Sequence, residues 1–282
     1  MVIAFWNIDK NERKKANQDF SDVLIDFVME QGVDILLLAE ANNKTVLNFI
    51  KKSQRILSPR SFKQILGSKA RTTVLTTYSS AVFSDKSNLY PSTRWDAFLI
   101  EIPGIIRFNL FSVHLHSKLN WSDSSLALEC TNLVRDIQVV EGKTACDETV
   151  LIGDFNMNPF EDGLVAANGL HAIQDLEYAF HTTKGREIDG NTYKYFYNPM
   201  WNFFGDFKRP MGTHYHRTPH SVSQEWNIYD QVIFRPSMKP HLDKDYVEVI
   251  QRIKTYDLVG YFGRPEDEKY SDHFPLIFKL KI

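Results

Sequence analysis

Short apolar runs recur along the chain, and each one stops at a polar side chain. Val2 to Trp6 ends in Asn7, Ile35-Leu36-Leu37-Leu38-Ala39 ends in Glu40, Ile105 to Val113 ends in His114, and Thr149-Val150-Leu151-Ile152 ends in Gly153-Asp154-Phe155-Asn156. Unbroken runs of this kind suit strands buried on both faces, and their ends deliver the polar residues. Phe20, Val23, Leu24, Phe27 and Val28 share one helical face, with Gly32 where a helix C-terminus favours glycine. A second stripe, Leu126, Cys130, Leu133, Val134 and Ile137, predicts a helix ending at Gly142. Thr72 to Phe83 and Trp95 to Ile102 read as antiparallel strands joined through Tyr90-Pro91-Ser92. Ile228 to Phe234 resumes strand character, and Leu276, Phe278, Leu280 and Ile282 alternate in a last strand just after Ser271-Asp272-His273. The order strand, helix, strand at the start points to a mixed α/β chain.

Residues 184 to 226 break the pattern. Tyr193, Tyr195, Phe196, Tyr197, Trp201, Phe203, Phe204, Phe207, Tyr215 and Trp226 are interleaved there with Lys194, Lys208, Arg209 and Arg217, without a helical or strand period. Such a mixture either stacks bases and holds phosphates or forms an aromatic mini-core beneath a long loop.

Composition narrows the function classes. At 282 residues and 43% hydrophobic, the chain is expected to form one globular domain, residues 1–282, with a sizeable core. A net charge of −2 excludes a chain that holds nucleic acid by bulk electrostatics, leaving room for a local basic patch. Cys130 and Cys146 lack the spacing and partners of a zinc site and are read as core thiols. His214, His216 and His220 lack a cysteine or carboxylate at matching spacing, so they are assigned to a surface or substrate loop. The first residues carry neither a basic region nor a long apolar span, so neither a signal peptide nor membrane insertion is expected, and a cytoplasmic location fits.

The polar residues at the strand ends are chemically matched. Glu40, Asp154 and Asp272 offer hard oxygen ligands for Mg²⁺, with Mn²⁺ as the other option; Asn7 and Asn156 can orient water or a phosphate oxygen; His273 can carry a proton. Phosphate-ester hydrolysis needs charge neutralisation and an in-line water, which these types supply. No P-loop, G-x-S-x-G elbow or H-E-x-x-H motif is present.

Trp6-Asn7, Ala39-Glu40, Val113-His114-Leu115, Gly153-Asp154-Phe155-Asn156, Tyr229-Asp230-Gln231-Val232 and Ser271-Asp272-His273-Phe274-Pro275-Leu276, in this order, resemble the endonuclease/exonuclease/phosphatase superfamily. The resemblance implies a four-layered α/β sandwich, two mixed β-sheets packed face to face with helices outside. It implies that Glu40 ligates the catalytic metal with Asn7 and Asp272, that Asp154 orients or deprotonates the attacking water, and that Asn156 holds that water or the phosphate. It also implies that His273 contacts the phosphate, with Asp230 holding its imidazole, and that His114 is a second phosphate-facing histidine. His116 is the alternative to His114, and the block favours His114.

Substrate choice stays open at this level, because loops select the substrate in such a family. Arg71, His116, Tyr215 and Trp226 are the candidate substrate contacts. Cleavage of DNA or RNA is favoured; a phosphatase or phosphodiesterase for a small phosphorylated molecule or lipid head group is the alternative, and an inactive binding module the third reading. The oligomeric state is not encoded in these patterns.

Overall fold

The computed structural model describes residues 1–9, 20–66, 71–182, 185–205, 210–217 and 224–282. Thirteen strands of two sheets carry the architecture: β1 (Val2–Asn7), β2 (Ile35–Ala39), β3 (Lys63–Ile65), β4 (Thr72–Thr76), β5 (Phe83–Asp85), β6 (Trp95–Ile102), β7 (Ile106–His114), β8 (Thr149–Asp154), β9 (Ala172–Ile173), β10 (Phe196–Tyr197), β11 (Asp230–Phe234), β12 (Leu242–Val249) and β13 (Leu276–Leu280). The first sheet has the order β12-β13-β1-β2-β4-β3 and the second β5-β6-β7-β8-β11-β10-β9. Both are mixed: β1 pairs parallel with β2 and antiparallel with β13, and β8 pairs parallel with β7 and antiparallel with β11.

Period-two alternation in the second sheet separates two cores. Phe98, Ile100, Phe108, Leu110, Val150, Ile152, Val232 and Phe234 join the first sheet's Phe5, Leu37 and Phe278 in one apolar cluster between the sheets. The intervening residues Ala97, Phe111, Val113, Leu151 and Ile233 pack with Leu126, Cys130, Leu133 and Ile137 of helix Asp123–Thr144. Helix Phe20–Gln31 lays Val23, Leu24, Phe27 and Val28 on the first sheet. The result is the four-layered sandwich expected from the resemblance. No helix among the described residues is long and apolar enough to cross a membrane.

Several local expectations change. Thr72 to Phe83 is not one strand: β4 ends at Thr76 in the first sheet, a turn intervenes, and β5 begins at Phe83 in the second. β4 therefore pairs with β2 and β3, while β6 pairs with β5 and β7. The Asp123–Thr144 helix runs through Gly142 and closes on Ala145, which has a left-handed φ of 48°. Helix Asn43–Ile56 and strand β12 carry no clear apolar run in the sequence; the helix buries only Val46, Phe49 and Ser53, and β12 has a register shift between Leu242 and Val247. Part of the 184–226 segment is core, since Tyr195, Phe196 and Tyr197 are buried. Phe207, Lys208, Arg209 and His220 lie outside the described residues. Cys130 is fully buried and Cys146 half-buried, both as free thiols.

Candidate active site

Strand register assembles the site before any side chain is considered. His114 stands opposite Asp154 across β7–β8, and Asp154 opposite Asp230 across β8–β11. In the first sheet, Asn7 lies beside Ala39, so Glu40 is the next residue along β2. The ends of both sheets meet here. The Asn7 side-chain amide donates to Asp154 Oδ2 at 3.1 Å, a direct bond between the two sheets.

Gly153 is required by the close approach of β7: a Cβ there would lie 1.9 Å from the Val113 carbonyl oxygen. Beyond it the backbone is bent deliberately. Asn156 and Glu40 both have left-handed φ values, 51° and 53°, an unusual conformation for residues with side chains and one that clusters at functional sites. Asn156 is held by its own amide N–H, which donates to Asp154 Oδ1 at 2.9 Å, and by its side-chain N–H₂, which donates to the Leu115 carbonyl at 3.1 Å.

The Ser271-Asp272-His273 turn is fastened to the end of β1. Ser271 Oγ donates to the Asn7 carbonyl at 2.6 Å and accepts from the His273 amide at 3.1 Å, while the Trp6 indole donates to the His273 carbonyl at 2.9 Å. His273 Nδ1 then meets Asp230 Oδ2 at 2.7 Å, with Asp230 wholly buried. His273 Nε2 lies 3.8 Å from Asp272 Oδ1.

Electrostatics separate the roles. Burial alone would lower the His273 pKa, but Asp230 and Asp272 outweigh it and raise it to about 10, so the imidazole is a cation at neutral pH. Burial also pushes Asp272 up, yet His273 and His214 overcome that and hold its carboxyl well below the usual range. Asp154 is raised to about 6, first by burial and then by Asp230, with His273 opposing. His114 is lowered to about 4 by burial, against the pull of Glu40. It is therefore neutral near pH 7, with Nε2 3.7 Å from Glu40 Oε1 and 3.9 Å from Asp154 Oδ2.

His214, assigned from the sequence to a surface or substrate loop, is instead buried against this cluster. It forms a β-bridge with His273, its ring lies 4.4 Å from that of His273 and 5.2 Å from Tyr229, and its Nε2 is 3.5 Å from Asp272 Oδ2. The signal was faint because the residue sits in a two-residue strand, His214–Tyr215, with no apolar run around it. His216, by contrast, is exposed. His116 turns away from Asp154: its Nδ1 meets Glu129 Oε1 at 2.7 Å and its ring stacks on Trp121 at 3.6 Å. Arg71 is exposed, Tyr215 half-buried with its hydroxyl donating to Glu225 Oε2 at 2.9 Å, and Trp226 packs over Phe274 at 6.5 Å against the inter-sheet core.

The donor set suits a divalent cation. The Glu40 and Asp272 carboxylates are 36% and 39% exposed at the mouth, so they are accessible oxygen ligands, and Asn7 lies between their strands. Asp154, Asp230 and His273 offer ligand atoms within 4.8 Å of one another, as do His214, Asp272 and His273. Asp154 is pushed up first by burial and then by Asp230, and a cation beside it would favour its ionised form.

The sequence pattern that defines the Endonuclease/Exonuclease/phosphatase family matches residues 4–273. The chain belongs to that family. It is accordingly a hydrolase of the metal-dependent phosphoesterase class. Among solved structures it is similar to zebrafish (D. rerio) TDP2 complexed with a single-strand DNA product, with TM-score 0.58, 15% identity, and 100% of this chain and 99% of that chain covered. It is also similar to the human Nocturnin catalytic domain with bound sulfate, with TM-score 0.53, 11% identity and coverage of 100% and 94%. The endonuclease domain of TRAS1, a telomere-specific non-LTR retrotransposon, matches with TM-score 0.53, 10% identity and coverage of 100% and 98%. These identities speak for the shared fold. No curated protein matches the sequence.

Proposed function

We propose that this protein is a Mg²⁺-dependent phosphodiesterase acting on nucleic acid, and that residues 1–282 work as one catalytic domain. The observation that carries the reading is the pair of opposite settings where the two sheets meet: a cationic His273 clamped by Asp230, and an acidic Asp154 held by Asn7 and Asn156. Together they provide a positive contact for a phosphate oxygen and an oxygen base for water.

In this reading Glu40, Asn7 and Asp272 hold the cation, with Mn²⁺ as a substitute. The chemistry supplied there by the bound ion is charge neutralisation on the phosphate oxygens. Asp154 positions the attacking water and accepts its proton; its raised pKa suits a base that must be ionised at neutral pH yet take a proton. Asn156 commits its amide N–H₂ to Leu115 and therefore presents its side-chain oxygen to the water. His273 holds a phosphate oxygen through Nε2, because Nδ1 is engaged by Asp230. His114, neutral and buried at the mouth, offers a hydrogen bond to the phosphate beside Glu40.

Nucleic acid is supported by the likeness to TDP2 with single-strand DNA product and to the TRAS1 endonuclease domain, and by Tyr215 beside the cluster. The free thiols of Cys130 and Cys146 support a reducing compartment such as the cytoplasm. The test is cleavage of labelled single-stranded and duplex DNA and RNA in Mg²⁺, Mn²⁺ or EDTA, with inositol phosphates, nucleotides and lipid head groups in parallel. The reading expects metal-dependent oligonucleotide cleavage above all other turnover. Exclusive turnover of a small phosphate ester would replace the substrate, and no turnover in any metal would remove the mechanism.

A further inference from the structure

Beside Asp272, a cleft of about 140 Å³ opens between the His214–Tyr215 strand and the segment that leads into Ser271. Arg217 and Arg264 face it from its two walls, with Tyr215 and His216 between them. The Arg264 guanidinium stands 5.5 Å from the centre of the Tyr215 ring and makes no ion pair among the described residues. Asp267 and Asp272 line it too, and Glu225 stands beside Tyr215 and Arg217. Glu225 is engaged by the Tyr215 hydroxyl and lies 3.9 Å from Arg217, Asp272 is engaged by His214 and His273, and Asp267 is exposed. Arg264 is thus the cation left available, and the cleft has room for a phosphate group beside it.

One residue short of Arg264, the chain presents Tyr261 and Phe262, 72% and 83% exposed, in edge-to-face contact at 4.3 Å. Phe262 is held at a φ of 58°, a costly conformation for an aromatic residue, and Gly263 follows at 79°. Two bulky rings are therefore displayed to solvent on a tight turn that leads into Arg264, an arginine of the cleft that includes Asp272 of the candidate active site. Aromatic faces interleaved with an arginine are the elements that hold a single strand with exposed bases; a duplex keeps its base faces stacked inside.

We propose that this rim is a subsite for the nucleotide next to the scissile phosphate of a single-stranded nucleic acid, with Arg264 on its phosphate and the Tyr261–Phe262 turn against its base. The proposal rests on the nucleic-acid reading above and sharpens it to a strand with unpaired bases. A small phosphate ester reaches neither contact.

The experiment measures fluorescence anisotropy of two labelled oligonucleotides of equal length, one of thymidine and one of abasic spacers, with the full chain in EDTA. Turnover of bis-p-nitrophenyl phosphate in Mg²⁺ is followed separately. Arg264→Ala is expected to weaken both oligonucleotides about tenfold and to reduce the salt dependence of log K by about one, whereas Arg264→Lys retains the salt slope. Phe262→Ala is expected to weaken the thymidine strand about tenfold and leave the abasic strand unchanged. Binding of both strands at wild-type strength by Arg264→Ala and Phe262→Ala overturns the subsite, and equal losses on both strands in Phe262→Ala overturn the base contact. Absence of wild-type turnover on bis-p-nitrophenyl phosphate counts against the phosphodiesterase reading alone, because the binding measurements use no metal and no chemistry.

Discussion

The two ends of the β8–β11 pair bury charge in opposite ways. At the far end, Arg235 and Glu141 form a buried two-pronged pair, Nε to Oε1 at 2.8 Å and Nη2 to Oε2 at 3.2 Å. The remaining valences are filled: Thr149 Oγ1 donates to Glu141, Arg235 Nη1 donates to the Lys194 and Tyr195 carbonyls, and the guanidinium lies 3.8 Å over Phe196. At the near end, Asp154 faces Asp230 across the same ladder, two acids beside one imidazolium, and Asp230 Oδ1 has no hydrogen-bond partner among the described residues. The first arrangement neutralises its charge within the protein; the second leaves a surplus of acid directed at whatever enters. Buried charge is therefore paired off at one pole and left in surplus at the other, where the proposed function puts it to chemical use.

Breaking the far pair tests the first half of that contrast and has the largest expected effect on folding. Arg235→Ala strands a buried carboxylate and is expected to cost about 3–5 kcal/mol in urea unfolding, whereas the double change Arg235→Met with Glu141→Leu recovers most of it. Turnover per folded molecule should stay at the wild-type level in both.

At the near pole, Asp230→Asn keeps the side-chain shape but removes the charge that makes His273 a cation. The expected loss in kcat/KM is about 100-fold on a nucleic-acid substrate, with the His273 pKa falling in histidine NMR titration. A His273 titration unchanged from wild type would show that Asp230 does not set its charge.

A third effect is the dependence of stability on pH. His273 has its folded pKa raised from 6.5 to about 10, so its contribution is fully present below about pH 6.5 and is lost as pH rises through about 10. Asp154 is also raised, from 3.8 to about 6, so its share of the slope falls between those values. Metal-free melting curves should decline between pH 6.5 and 10 in the wild type and flatten in Asp230→Asn.

Much of the near pole was legible in the chain because buried runs that end in a polar residue announce both a strand and its exit. Asn7, Glu40, His114 and Asp154 were placed at strand ends in this way, and the structure brings them together with Asp230 and His273. His214 was not legible: its partner Asp272 is 58 residues away along the chain by the numbering, and a two-residue strand carries no period. Helix Asn43–Ile56 escaped because so few of its residues are buried, and β12 because an edge strand with a register shift alternates poorly. Thr72 to Phe83 misled for the opposite reason, since two β-forming stretches follow one another but enter different sheets. Local pattern records burial; it does not record which partner causes it.

In the proposed function, Asp154 is kept acidic and buried for chemistry rather than for stability. The most direct measurement pairs urea unfolding with turnover of bis-p-nitrophenyl phosphate in Asp154→Asn. The expected unfolding free energy lies within about 1 kcal/mol of wild type, because the oxygen that accepts from the Asn156 amide is kept, the Asn7 amide can turn its oxygen to the new N–H₂, and the penalty for burying the charge is removed; activity is expected to fall about 1,000-fold or more. A variant that keeps wild-type turnover, or one that loses several kcal/mol of stability in step with its activity, would contradict that role for Asp154.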